Sequence, residues 1–159
     1  MSEPSQPVRA VAIAATDLPE TSTTGYPAPF RGLVAGRHRR RLGDVFGLEQ
    51  FGVNLCRLEP GAATAQRHWH ALEDELVYVL EGEVVLVTDT GETVLGPGTV
   101  AGFPAGSPDG HHLINRGNRD ALLLEIGTRS SGPERVVYPD IDLIWERSRG
   151  YLHKDGTPW

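Results

Sequence analysis

Only one cysteine, Cys56, and one methionine occur among the 159 residues. A lone thiol excludes an internal disulfide and argues against a Cys-based metal site. Long apolar runs are missing too, since nothing approaches the roughly 18 apolar residues of a membrane-spanning helix. The N-terminus carries Glu3 early, and its apolar run from Val11 to Ala15 is too short for a signal peptide, so a cytoplasmic protein is expected. Basic residues are in deficit, 15 against 21 acidic, for a net charge of −6. That balance argues against a general nucleic-acid binder, which needs clustered Lys and Arg for phosphate contacts. Gly (19) and Pro (12) are in excess instead. So many breakers suit a turn-rich all-β chain and count against a helical bundle. The length fits one domain.

Along the chain, residues 1–30 are rich in Pro, Ser, Thr and Ala and read as an N-terminal arm, with a candidate strand at Val8 to Ala14. Strand-like segments dominate residues 31–130. FGVNLCRL begins at Phe51, and LVYVLEGEVVLVT breaks at the turn Glu81 to Glu83. Asp89-Thr90-Gly91, Gly96 to Gly98 and Pro104 to Gly106 punctuate further short strands. This rhythm is that of a β-sandwich or small barrel. Residues 131–159 read as a loop-like C-terminal extension, with one weak helix near Asp140 to Ser148. No internal repeat is visible.

Chemistry concentrates in HWHALEDE, residues 68–75. On an extended strand, residues two apart share a face, so His68 and His70 can aim at one centre while Trp69 points away. Glu75 opens the next strand, and the loop Ala71 to Asp74 can fold it back beside them. His111 starts a later strand run. Three imidazoles and a carboxylate form a mixed N/O set suited to one divalent ion: Mn, Fe, Co, Ni or Zn. Glu73 and Asp74 compete for the carboxylate position and read more naturally as loop charges facing water.

These residues carry a family resemblance. Gly61-x6-His68-x-His70-x4-Glu75-x6-Gly82 resembles the first motif of the cupin superfamily, with one extra residue after Gly61. Gly98-x5-Pro104-x-Gly106-x4-His111-x3-Asn115 is similar to the second, with four residues, Ser107 to Gly110, where the family has two. The longer turn leaves His112 as a rival to His111; the spacing to Asn115 and strand parity favour His111. The resemblance spans about Phe51 to Gly127 and implies an all-β fold, a jelly-roll (double-stranded β-helix) barrel. It also implies a metal held inside by His68, His70, Glu75 and His111. Cupins include dioxygenases, isomerases, lyases, sugar-binding proteins and regulatory domains, so fold alone does not name a reaction.

The residues thus point to a metal-binding protein acting on a small organic molecule in the barrel. A non-catalytic binding or sensing role stays open beside it, as does an interaction protein built on the outer face. Expected inward positions are Asn54 or Cys56, Gln66, Val77, Val79 and one face of Ala121 to Ile126, a mostly apolar lining. Tyr78 has outward parity; Glu125 could point into the barrel mouth or pair with an arginine outside. The run Arg37, His38, Arg39, Arg40, Arg41 reads as an anion site or, preferably, a solvated loop or edge strand whose charges discourage pairing. Trp145, Tyr151, His153 and Trp159 could form a lid, a dimer contact or a packed extension. A homodimer is expected from the resemblance; neither nucleic acid nor a membrane is an expected partner.

Overall fold

The computed structural model describes residues 11–159. Twelve strands fall into antiparallel sheets. The first sheet contains β1 (Arg37–Arg41), β2 (Phe51–Leu58), β9 (Ala121–Thr128), β4 (Glu75–Glu81) and β7 (Val100–Phe103), in that spatial order. The second is β6 (Gly91–Leu95), β5 (Val84–Thr88) and β8 (His112–Ile114). The third orders β12 (Gly150–Leu152), β11 (Leu143–Glu146), β10 (Arg135–Tyr138) and β3 (Trp69–His70). A two-residue bridge, His68 with His111, links the second and third sheets into one wall facing the first.

Strand alternation sorts side chains as the pleat requires. On β4, Val77 and Val79 are buried while Leu76, Tyr78 and Leu80 face outward. Cys56, Leu58, Val79, Val84, Leu113 and Leu123 pack as the main core between the walls. Gly82 turns the chain between β4 and β5 at φ +76°, and a Cβ there would sit 2.8 Å from the Asp120 carbonyl oxygen. Only glycine fits that position.

Three expectations need correction. The helix anticipated at Asp140 to Ser148 is absent: β11 occupies its centre, paired with β10 on one side and β12 on the other. The C-terminal segment is therefore a three-stranded meander rather than a loop-like tail, and its β10 pairs with β3, placing Val136 opposite His70. The N-terminal arm contributes to a second core, in which Tyr26 meets Tyr138 edge-on at 5.7 Å among Val34, Val136 and Leu143. Of the strand expected at Val8 to Ala14, residues 8–10 lie outside the described residues, and 11–14 are not in a strand. Thr21 instead makes two backbone hydrogen bonds to Arg39, of 3.0 and 2.9 Å, partly covering the free edge of β1. No helix of the described chain is long and apolar enough to cross a membrane.

Candidate functional site

His68 and His111 exchange both backbone hydrogen bonds, at 3.1 and 2.8 Å. Residues paired this way direct their side chains to the same face, and the two rings stand 4.9 Å apart. His70, two residues along, brings its ring to 5.0 Å from His68. Glu75 enters from the start of β4. Its Oε2 lies 2.8 Å from Nε2 of His111 and 3.5 Å from Nε2 of both His68 and His70.

The donor atoms of His68, His70 and Glu75 all lie within 4.8 Å of one another, a spacing that one ion can bridge. The donor set fits a borderline divalent cation. Nδ1 of His68 sits 2.8 Å from the Gln66 carbonyl. Donating there as Nδ1–H, the ring keeps its Nε2 lone pair for the centre. Burial opposes ionisation of Glu75, but hydrogen bonds from His111 and His68 outweigh it and hold its carboxyl well below the ordinary range. Burial lowers the pKa of His111, whose ring stacks on Phe103 with centroids 3.5 Å apart. His112 points elsewhere, its Nδ1 3.1 Å from the Ala65 carbonyl.

The loop carboxylates behave differently from one another. Asp74 is exposed and accepts the Ala105 N–H at 2.7 Å. Glu73 is half-buried, not a charge facing water: it accepts the Ser130 N–H at 3.0 Å and pairs with Arg147 at 2.5 Å. Sequence reasoning missed Glu134 altogether. Buried to 1% exposure, it accepts the Ala71 and Leu72 N–H groups at 3.1 and 2.9 Å and places Oε1 3.3 Å from Nδ1 of His70. Its position in the connection SSGPE gives no local pattern that could have revealed it; the β3–β10 pairing brings it there.

Beside this cluster opens a cavity of about 490 Å³. The mostly apolar lining expected from the sequence is incorrect, because that expectation left out β1. Arg37, Arg39 and Arg41 pair with Leu58, Cys56 and Asn54, inward residues of β2, so all three arginines share the inward face. Arg39 and Glu125 form a two-pronged ion pair at 2.6 and 2.9 Å, which settles the direction of Glu125. Burial works against the Arg39 charge, and Glu125 more than restores it. Asn54 and Val77 line the same cavity, as do Tyr26 from the arm and Tyr151 from β12. Cys56 and Val79 lie in the core beneath it. Gln66 is tied instead to the Phe30 carbonyl at 2.9 Å. Tyr78 faces outward, as its parity requires. β1 is indeed an edge strand of its sheet, but only its alternate side chains, His38 and Arg40, face away from the barrel, where they meet Glu59 and Glu20.

Residues 54–127 match the family model of the cupin domain. No curated protein matches the chain. Among solved structures, a cupin-superfamily sugar phosphate isomerase of Silicibacter pomeroyi is 42% identical, with a TM-score of 0.88 over 93% of this chain and 96% of that one. An Acidithiobacillus ferrooxidans protein provisionally assigned as a sugar phosphate isomerase is 30% identical, with a TM-score of 0.70 over 79% and 82% of the two chains. A polyketide cyclase of Streptomyces resistomycificus is 25% identical, with a TM-score of 0.62 over 77% and 82%. Motifs, barrel and a relative matched along nearly its whole length agree: the chain belongs to the cupin superfamily.

Proposed function

We propose that this protein is a metal-dependent isomerase of small sugar phosphates, with His68, His70, Glu75 and His111 holding one divalent ion. The observation carrying this reading is the convergence of three imidazole Nε2 atoms on one carboxylate oxygen at the wall of a polar, arginine-lined cavity. The 42%-identical relative supplies the reaction class. When bound, the ion supplies Lewis acidity toward a carbonyl or hydroxyl oxygen. The chain's own part is to orient that oxygen. Gln66 fixes the His68 ring, while Glu134 lies beside Nδ1 of His70 on a backbone anchored through Ala71 and Leu72. Phe103, stacked on His111, shields that side from water.

The direct test loads the purified chain with Mn, Fe, Co, Ni or Zn, measures bound metal by elemental analysis, and follows aldose and ketose phosphates by NMR. One equivalent of metal and metal-dependent interconversion are expected. Ligand-induced thermal stabilisation without turnover of any of them would point instead to a binding or sensing protein.

The homodimer belongs to the same proposal. Leu76, Tyr78 and Leu80 of β4 and Val100 of β7 form an uncharged, exposed outer sheet face, which a second copy would cover by two-fold pairing. Light scattering should give about twice the 17.3 kDa chain mass, and Tyr78→Lys should return it to one. A cytoplasmic setting suits the lone buried thiol, Cys56.

A further inference from the structure

We infer that Arg37 anchors the phosphate group of a phosphate monoester, forming an anion subsite apart from the His/Glu cluster. The inference rests on reading the cavity as a substrate chamber.

Register sets the three inward arginines at successive depths. Gly52 lies opposite Gly127, which lies opposite Glu75, so that row contains the carboxylate of the cluster. Arg41, Arg39 and Arg37 pair with Asn54, Cys56 and Leu58, each one inward row further from it. The three differ in how their charge is met. Arg41 is mostly exposed at the rim, with Asp44 at 3.6 Å. Arg39 is neutralised by both oxygens of Glu125.

Arg37 is only 7% exposed, yet among the described residues no carboxylate lies within 4 Å of it. Its bonded acceptor is the Thr64 carbonyl, at 2.7 Å from Nη1. A guanidinium carries five N–H donors, and a buried cation without a counter-charge is costly. Burial and the neighbouring Arg39 work against its charge more than Glu125, already paired with Arg39, supports it from a distance. Arg37 nevertheless borders the cavity, where a ligand can reach it.

The geometry favours phosphate over carboxylate. Arg39 also donates to the Thr64 carbonyl, at 3.2 Å, so two guanidiniums converge on one oxygen. An anion with three free oxygens can fill the Arg37 fork and still reach Nη1 of Arg39, the nitrogen that Glu125 and Thr64 leave unused, whereas a carboxylate is filled by one fork. The substrate would thus lie lengthwise, its phosphate held by Arg37 and its reacting end toward the row of Glu75.

The test is calorimetric titration of the full-length protein with inorganic phosphate, once as metal-loaded protein and once after chelation. Phosphate is expected to bind in both forms. Arg37→Gln should weaken binding about tenfold, with metal content and melting temperature retained. Arg37→Lys, which keeps the charge but loses the fork, should weaken it about threefold and serves if the glutamine variant fails to fold. Affinities within about twofold of the parent in both variants would overturn the inference. So would phosphate binding that appears only with metal, or acetate binding as tightly as phosphate. A chain that binds no metal but binds phosphate through Arg37 would uphold the subsite while removing the metal-dependent function.

Discussion

Asn54 and Cys56 stand two residues apart on the same face of β2, yet one borders an open cavity and the other is fully buried in the core. The same step recurs on β9, where Glu125 gives way to Leu123, and on β4, where Glu75 gives way through Val77 to Val79. The barrel interior is thus divided across its strands rather than between them. Each of these strands holds its functional residues in place by burying the next inward position. On these three strands the buried, apolar half provides stability, and the polar half presents its side chains on a scaffold already made rigid. β1 alone carries arginines, Arg39 and Arg37, past that line at the cavity's edge.

This division can be broken from either side, and the largest effect is expected in the polar half. His68→Ala should abolish bound metal and any metal-dependent turnover, while circular dichroism and the melting transition stay close to those of the parent. Loss of fold along with metal would show that the two halves are not separable. Leu123→Ala in the apolar half should do the reverse, destabilising the fold by about 2–5 kcal/mol in chemical denaturation while metal stoichiometry is kept. Glu134→Gln tests the seam between the third sheet and the cluster. Weaker acceptance of the Ala71 and Leu72 N–H groups should cost about 1–3 kcal/mol and lower metal affinity. The smallest perturbation is chemical. Burial raises the Cys56 thiol pKa well above its ordinary value, so alkylation at pH 8 should be negligible in the folded chain and rapid in denaturant. Fast labelling of the folded chain would mean that the apolar half opens readily.

What the sequence made legible follows the same physics. His68, His70 and Glu75 lie close in the chain, so strand parity and a short loop were enough to bring them together. His111 could be found from its offset to Asn115 in the second motif, and the bridge sets it opposite His68. The arginine stripe was harder. Its alternation was visible, but whether Arg37, Arg39 and Arg41 or His38 and Arg40 face inward depends on pairing with β2 thirteen to twenty-one residues away. Glu134 depends on a pairing more distant still. The C-terminal strands were misread because Leu143 and Ile144 are both buried, one beside the other, so the segment lacks the alternation that marks a half-exposed strand. Their burial comes from β10 and β12 on either side, which local propensity does not register.

The pairing of β3 with β10 also has a temporal consequence. His70 precedes its partner Val136 by 66 residues, so on the ribosome its two-residue strand waits roughly 3–13 s for that neighbour to be made. Until the last meander emerges, the loop after His70 has no Glu134 to receive its amides. Bracing of the loop beside the His/Glu cluster is therefore a late event in the life of the nascent chain.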